Sequence, residues 1–209
     1  DTYVRPKPIP ESIDQVVAHY ETTNDSCPAT GAIYDFLRRT PPNIKSRTTD
    51  SDPIIQNPQD QLNETINAAI NLDHSYLPIQ GPPGTGKTYT AARIIEKLIS
   101  LGKKIAITSN SHKAINNLLL ATAYYMRKTG TQANLVCTRD TGRELSECGI
   151  NIISNNELAG EVEAGCVIGT TAWGLSRDDL SDQFDYLFVD EAGQVSIAHL
   201  IAMSRCSDN

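Results

Sequence analysis

A parallel α/β fold, with helices on both faces of a central sheet and a small helical segment ahead of it, is predicted by three observations. A glycine-rich loop, Gly81-Pro82-Pro83-Gly84-Thr85-Gly86-Lys87-Thr88, stands between a short apolar run and a stretch of helical periodicity. Beyond it, short apolar runs of strand type alternate with helix-patterned stretches, which implies right-handed βαβ units and a sheet covered on both sides. A last apolar run ends in Asp190-Glu191, with Asp190 lying 103 residues after Lys87.

Taken in order, residues 1–10 hold three prolines and predict an extended lead-in. Glu11 to Tyr20 carries Ile13, Val16, Val17 and Tyr20 at helical spacing, and Gly31 to Arg39 carries Ile33, Phe36 and Leu37 on one face before Pro41-Pro42 ends it. Asn43 to Asp52 is polar and predicts a linker, so 1–52 is expected as a lead-in and 53–209 as the main domain. A helix over Gln59 to Leu72 turns Leu62, Ile66, Ala69 and Ile70 inward. Tyr76 to Gln80 is the strand expected to enter the glycine loop, and Lys87 to Leu101 the helix expected to leave it. Further strands are expected at 104–108, 134–138, 150–153, 166–170 and 185–190, with helices at 114–128, 157–163 and 196–204.

Composition narrows the classes. A hydrophobic content of 39% over 209 residues, with a mean hydropathy of −0.32, fits one globular α/β core. No run approaches the roughly 18 apolar residues of a membrane span, and the polar, proline-broken opening has no signal-peptide pattern. The absence of an initiator Met leads us to expect a segment of a longer protein. Five cysteines at irregular spacing, with no C-x-x-C pair, argue for reduced thiols and a cytoplasmic setting, and four scattered histidines have no metal-ligand spacing. A net charge of −7 by itself argues against nucleic acid, but it is unevenly spread: residues 81–130 carry +7 and residues 140–209 carry −10. Such asymmetry fits either a local basic binding surface or solvated helix faces.

The glycine loop has the spelling G-x-x-x-x-G-K-[ST] in the strand–loop–helix context that a phosphate-binding loop requires. Glycines let successive backbone N–H groups converge on one anion, and a helix N-terminus adds positive potential. Lys87 is the expected contact to the β- and γ-phosphates, and the Thr88 hydroxyl the expected Mg²⁺ ligand. The apolar run Phe184 to Val189, closed by Asp190-Glu191, is a Walker B arrangement. Asp190 is placed for Mg²⁺, and Glu191 to orient or deprotonate an attacking water, which favours hydrolysis over transfer to a small-molecule acceptor.

Gly81–Thr88, the Asp190-Glu191-Ala192-Gly193-Gln194 run and the segments between them resemble the first motor domain of superfamily 1 helicases. The likeness is to the group that includes the nonsense-mediated-decay RNA helicase and the Dna2-type nuclease–helicases. It covers about residues 55–209. Asp35-Phe36-Leu37-Arg38-Arg39 with Pro41-Pro42, and Ser75-Tyr76-Leu77 leading into Gln80, further resemble bacterial fusions of a RecB-like nuclease to such a helicase. The resemblance implies a RecA-like P-loop NTPase domain using ATP and Mg²⁺. It implies single-stranded DNA or RNA as the partner, and a second motor domain and a RecB-like nuclease in the parent chain.

Carried over by residue, the resemblance assigns Gly81, Pro82, Pro83, Gly84, Thr85, Gly86, Lys87, Thr88 and Tyr89 to the nucleotide. Asp190 and Glu191 are assigned to metal and water, and Gln194 to a link between the γ-phosphate and the nucleic acid. Ser109, Asn110, Ser111, His112 and Lys113, with Thr170 and Thr171, are the expected contacts to a single strand. Each of these Ser, Thr and Asn positions also suits a loop or helix cap. The group's adenine-reading glutamine lacks its usual spelling here, leaving Gln59 or Gln61 for that role. Trp173 suits either base stacking or packing. With one motor domain, the isolated segment is expected to bind ATP weakly and hydrolyse it poorly. The alternative to an ATP-driven motor is a nucleotide-gated switch or scaffold that does not translocate.

Overall fold

The computed structural model describes residues 7–22, 31–47, 49, 51–142 and 144–209. Five short strands form one parallel sheet: β1 (Ile105–Thr108), β2 (Asn134–Cys137), β3 (Asn151–Ile152), β4 (Cys166–Gly169) and β5 (Tyr186–Val189), in the order β3-β2-β4-β1-β5. Eight α-helices accompany them among the described residues: α1 (Ile9–Thr22), α2 (Ala32–Arg38), α3 (Gln61–Ile70), α4 (Lys87–Ser100), α5 (His112–Thr129), α6 (Glu144–Glu147), α7 (Ala172–Leu175) and α8 (Ile197–Met203). The expected α/β class and parallel sheet are both present. No helix among the described residues is long and apolar enough to cross a membrane.

Strand side chains alternate between faces, and the core divides accordingly. Ile105, Ile107, Leu135, Cys137 and Val167 point to one side, against Ile94, Ile95 and Leu98 of α4 and Ile115, Leu118 and Leu119 of α5. Ala106, Val136, Cys166 and Ile168 point to the other, against Leu175 of α7, Met203 of α8, Leu158 and Phe184. Helix α4 reads Ile94, Ile95, Leu98, Ile99 on its buried stripe, the i, i+1, i+4, i+5 pattern of a helix laid on a sheet. Helix α5 starts where Ser111 accepts the Ala114 N–H on its side-chain oxygen, and stops at Gly130, whose φ of 80° is left-handed.

Gly169, the last residue of β4, is required by close approach. A Cβ there would lie 2.6 Å from Leu119 Cδ1 and 2.7 Å from Ile115 Cγ2, both side chains fully buried. Gly169→Ala is therefore expected to push α5 off the sheet and destabilise the fold by about 1–3 kcal/mol, the usual cost of overpacking. A urea melt shows this as a lowered midpoint at unchanged slope.

Several elements differ from the sequence expectation: Ile9 and Pro10, expected in an extended lead-in, already belong to α1, and the helix expected over 157–163 is only a 3-10 turn, Leu158–Glu161. Tyr76–Gln80 forms no strand. The outer edge of β5 pairs instead with the residues after α8: Phe184 bridges Ser207 in parallel, and the Leu187 N–H donates to the Asn209 carbonyl at 2.7 Å. The Ser75 N–H donates to the Asn209 side-chain oxygen at 3.2 Å, just ahead of the run that enters the loop. Within the stretch expected as a linker, Ile44 bridges Leu72 and is buried in the main core. Helix α1 buries Ser12 and Val16, leaving Val17 and Tyr20 exposed, because Ser12 Oγ donates to the Ala202 carbonyl at 2.6 Å and so pins that face to α8. On α2, Tyr34 takes the buried place expected for Leu37, packing with Val16, Ile33 and the side of α8.

Candidate functional site

The glycine loop ends on the first residue of α4. Gly84 and Gly86 have φ of 82° and 85°, a conformation that side-chain-bearing residues rarely adopt. Gly81 is held to glycine for a different reason: a Cβ there would fall 2.5 Å from Thr85 Oγ1. Thr85 Oγ1 donates to the Pro82 carbonyl at 2.8 Å, closing the turn. Gly86 leaves the helix without a side-chain cap, and the N–H groups of Gly84, Gly86, Lys87 and Thr88 have no acceptor among the described residues. Free N–H groups at the start of a fourteen-residue helix form an anion site in physical terms. The residues present thus fit a phosphate group.

Lys87 lies over this loop. Its ammonium donates to the Gly81 carbonyl at 2.6 Å and the Pro82 carbonyl at 3.0 Å. At one side of the sheet, the neighbouring strands β1 and β5 bring their carboxyl ends side by side, and the Asp190 N–H donates to the Thr108 carbonyl at 2.9 Å. Asp190 is half-buried, and its Oδ1 accepts the N–H of Glu191 at 2.9 Å. Glu191 is exposed with a φ of 51°, so the chain turns sharply at that residue and carries its carboxylate clear of the strand. Gln194 is exposed at the end of the following 3-10 turn, its N–H donating to the Glu191 carbonyl. No ion pair among the described residues joins Lys87 to Asp190 or Glu191; its hydrogen bonds go to the loop.

The residues expected at the strand tips divide by exposure. Asn110, Ser111 and Lys113 are exposed. Ser109 is buried, and its hydroxyl has no hydrogen-bond partner. Thr170 is fully buried, and its hydroxyl is spent between Thr138 at 3.0 Å and Asn155 at 3.2 Å, so only Thr171 of that pair presents a partly exposed side chain. Gln59 and Gln61 are both exposed at the start of α3, where Gln59 donates its backbone N–H to Asn57.

His112 is half-buried with Nδ1 unpartnered. Burial, and then the charge of Arg139, hold its pKa below the ordinary 6.5. A depressed histidine resists protonation in the folded state. Its stabilising effect is therefore complete above about pH 6.5 and is lost as pH falls from there through the folded value. An NMR titration is expected to place the His112 midpoint below 6.5, and His112→Gln to remove that part of the acid-side loss of stability.

One neighbouring residue was not singled out by its sequence. Arg93, one turn after Tyr89 on α4, stacks its guanidinium 3.1 Å from the Tyr89 ring centroid and 4.1 Å from that of Tyr125 on α5. It also donates to the Tyr89 carbonyl at 3.0 Å, so the sandwich fixes Tyr89 beside the loop. The i, i+4 spacing of Tyr89 and Arg93 was the available signal.

Residues 57–158 match a family described as an AAA domain, a span that contains the glycine loop and ends before Asp190. The DNA replication ATP-dependent helicase/nuclease DNA2 of Saccharomyces cerevisiae is 30% identical over 169 residues, covering 73% of this chain and 11% of the yeast protein. The human DNA2 protein is 30% identical over 132 residues, 61% of this chain and 12% of its own length. The Arabidopsis thaliana helicase/nuclease JHS1 is 28% identical over 126 residues, 58% of this chain and 9% of its own length. The chain thus spans about a tenth of the length of these relatives. Together with the parallel sheet and the loop at the head of α4, these likenesses support a helicase-type ATP-binding domain.

Proposed function

We propose that this chain is the first motor domain of a nucleic-acid helicase that couples ATP hydrolysis to movement along a single strand, with DNA the preferred strand. The observation that carries the reading is the uncapped α4 N-terminus behind left-handed Gly84 and Gly86, with Lys87 already folded over the loop. The N–H groups of Gly84, Gly86, Lys87 and Thr88 grip the phosphates of ATP, and Lys87 exchanges two loop carbonyls for phosphate oxygens. Thr88 and Asp190 hold Mg²⁺, which when bound supplies charge neutralisation across the phosphates. Glu191 orients a water and takes its proton, and Gln194 sits at the link to the strand-binding side. Tyr89, steadied by Arg93, flanks the nucleotide, and Gln59 or Gln61 reads the base. Asn110, Ser111, His112, Lys113 and Thr171 form the region that meets the strand, contacts that position without reading sequence, with Ser109 and Thr170 buried behind them.

DNA is preferred because the DNA2 proteins are named as DNA replication helicase/nucleases. By the same likeness the parent protein carries a nuclease; the resemblance carried by the motifs extends this to a second motor domain and a nuclease of RecB-like type, and the irregular cysteine spacing to a cytoplasmic setting. The test is fluorescence anisotropy of the full-length protein with labelled single-stranded DNA and RNA, with and without a non-hydrolysable ATP analogue. Strand binding whose affinity changes with the analogue is the expected result. Indifference to both strands in both states would leave a nucleotide-gated switch.

A further inference from the structure

A loop that converges N–H groups on one anion works only if the chain is held on both sides of it. On its far side the glycine loop runs into α4, whose apolar stripe is buried in the main core. The near side is held differently. Residues 76–80 form no strand and no backbone–backbone hydrogen bond among the described residues, and Pro78, Ile79 and Gln80 are exposed. Leu77 packs against the main core, and the other anchors come from a stretch 40 residues earlier. Ser75 is fully buried, and its Oγ donates to Asp35 Oδ2 at 2.8 Å while accepting the Asn43 N–H at 3.0 Å. The next residue repeats the pairing. The Tyr76 ring meets that of Phe36 edge-on, with centroids 5.5 Å apart, and its hydroxyl donates to the Thr40 carbonyl at 2.9 Å. The Asp73 N–H adds a bond to the Asn43 carbonyl at 3.1 Å.

These partners are the two runs that stand out in the sequence, 35–39 and 75–80, yet have no part in the phosphate or strand chemistry. A hydrogen bond from a hydroxyl to a carboxylate is charge-assisted and roughly twice as strong as a neutral one. A buried serine that both donates and accepts is also fixed in one rotamer, and without Asp35 its hydroxyl would lose its acceptor in a dry site. We infer that Asp35 and Tyr76 are positioning residues for the nucleotide, with the α2 segment acting as a clamp that sets where the glycine loop begins. The clamp fixes the Gly81 and Pro82 carbonyls, and these in turn seat the Lys87 ammonium. Both residues act through the backbone of 76–80 rather than by touching a phosphate. The inference rests on the nucleotide reading of the loop, and it makes residues 35–43 of the lead-in part of the ATP-binding unit.

The test combines titration of the full-length protein with a fluorescent ATP analogue and amide hydrogen exchange. Asp35→Ala is expected to weaken the analogue about 2- to 30-fold, the range over which a residue without ligand contact alters affinity. Exchange is expected to quicken over 76–86 while α4 and α5 exchange as in wild type. At saturating ATP the turnover is expected to match wild type, so the loss falls on KM. Asp35→Asn keeps an acceptor for Ser75 and is expected to restore most of the affinity. Tyr76→Phe removes only the hydroxyl and is expected to show a smaller loss with the same local exchange. Ser12→Ala, which cuts the bond from α1 to α8 instead, is expected to lower the unfolding midpoint with affinity and loop exchange unchanged. Wild-type affinity and loop exchange in Asp35→Ala would overturn the clamp, as would an equal affinity loss in Ser12→Ala or exchange that quickens equally in α4 and α5. Should Asp35→Ala not fold, Tyr76→Phe decides by the same measurements, and wild-type behaviour there overturns the clamp. In each of those cases the nucleotide reading stands; a wild-type protein that binds no analogue would end both.

Discussion

Lys87→Ala in the full-length protein is expected to lower kcat/KM for ATP by about 10²–10³-fold, the scale of losing one preorganised donor to developing charge. The ammonium is held at the loop by the Gly81 and Pro82 carbonyls, 2.6 and 3.0 Å away, so it needs little rearrangement to reach a phosphate in the same cradle. The N–H groups at the head of α4 remain in the variant and supply only the sequence-independent part of anion binding. Arginine is not expected to substitute, since its planar fork cannot fit where a compact point charge sits between two carbonyls. Nucleotide binding checks the same point independently. An ATP analogue at 100 times its Kd stabilises the wild-type fold by about 2.7 kcal/mol, and the variant is expected to show no comparable shift at that concentration. Turnover within threefold of wild type would remove Lys87 from the phosphate site.

Glu191→Gln is expected to do something different: leave the nucleotide Kd within a few fold and lower kcat by about 10²–10⁴, the contribution of a positioned general base. The left-handed turn at Glu191 carries its carboxylate off the strand and into the open, while Asp190 stays half-buried with Oδ1 on the Glu191 N–H. The two carboxylates are thus adjacent in sequence yet held in different surroundings, which suits a division between metal and water. Asp190→Asn, by contrast, is expected to weaken Mg²⁺-dependent nucleotide binding along with turnover. Equal losses of binding in both variants, measured by titration with a fluorescent ATP analogue, would contradict that division.

Much of this arrangement was legible in the residues, for reasons that are local. Ile105-Ala106-Ile107 and Cys166-Val167-Ile168 are β-rich runs buried on both faces, which marks a parallel sheet before any topology is known. The glycine spacing of the loop fixes backbone conformation directly, and Gly84 and Gly86 have the left-handed φ that such a loop uses. What could not be read depends on distant partners. Tyr76–Gln80 has strand character, but pairing is decided by what occupies the edge of β5, and that is Ser207–Asn209. Thr170 looks like a strand-tip residue, yet it turns inward because Thr138 and Asn155 offer it hydrogen bonds there. The buried face of α1 is chosen by a serine, Ser12, whose partner Ala202 lies 190 residues away. Ile44 enters the core from a stretch whose polarity suggested solvent.

The central claim is that the loop at the head of α4 and the carboxylates at the tip of β5 serve one triphosphate and one metal. Crystals of the full-length protein grown with a non-hydrolysable ATP analogue and Mn²⁺ in place of Mg²⁺ test it most directly, because anomalous scattering locates the metal without reference to the model of the chain. The expected peak lies between the analogue's terminal phosphates, ligated by Thr88 Oγ1 and within direct or one-water reach of Asp190, with Glu191 facing the γ-phosphate. A metal bound at the loop with Asp190 and Glu191 beyond water-mediated reach, or an analogue whose phosphates lie away from Gly84–Thr88, would contradict it.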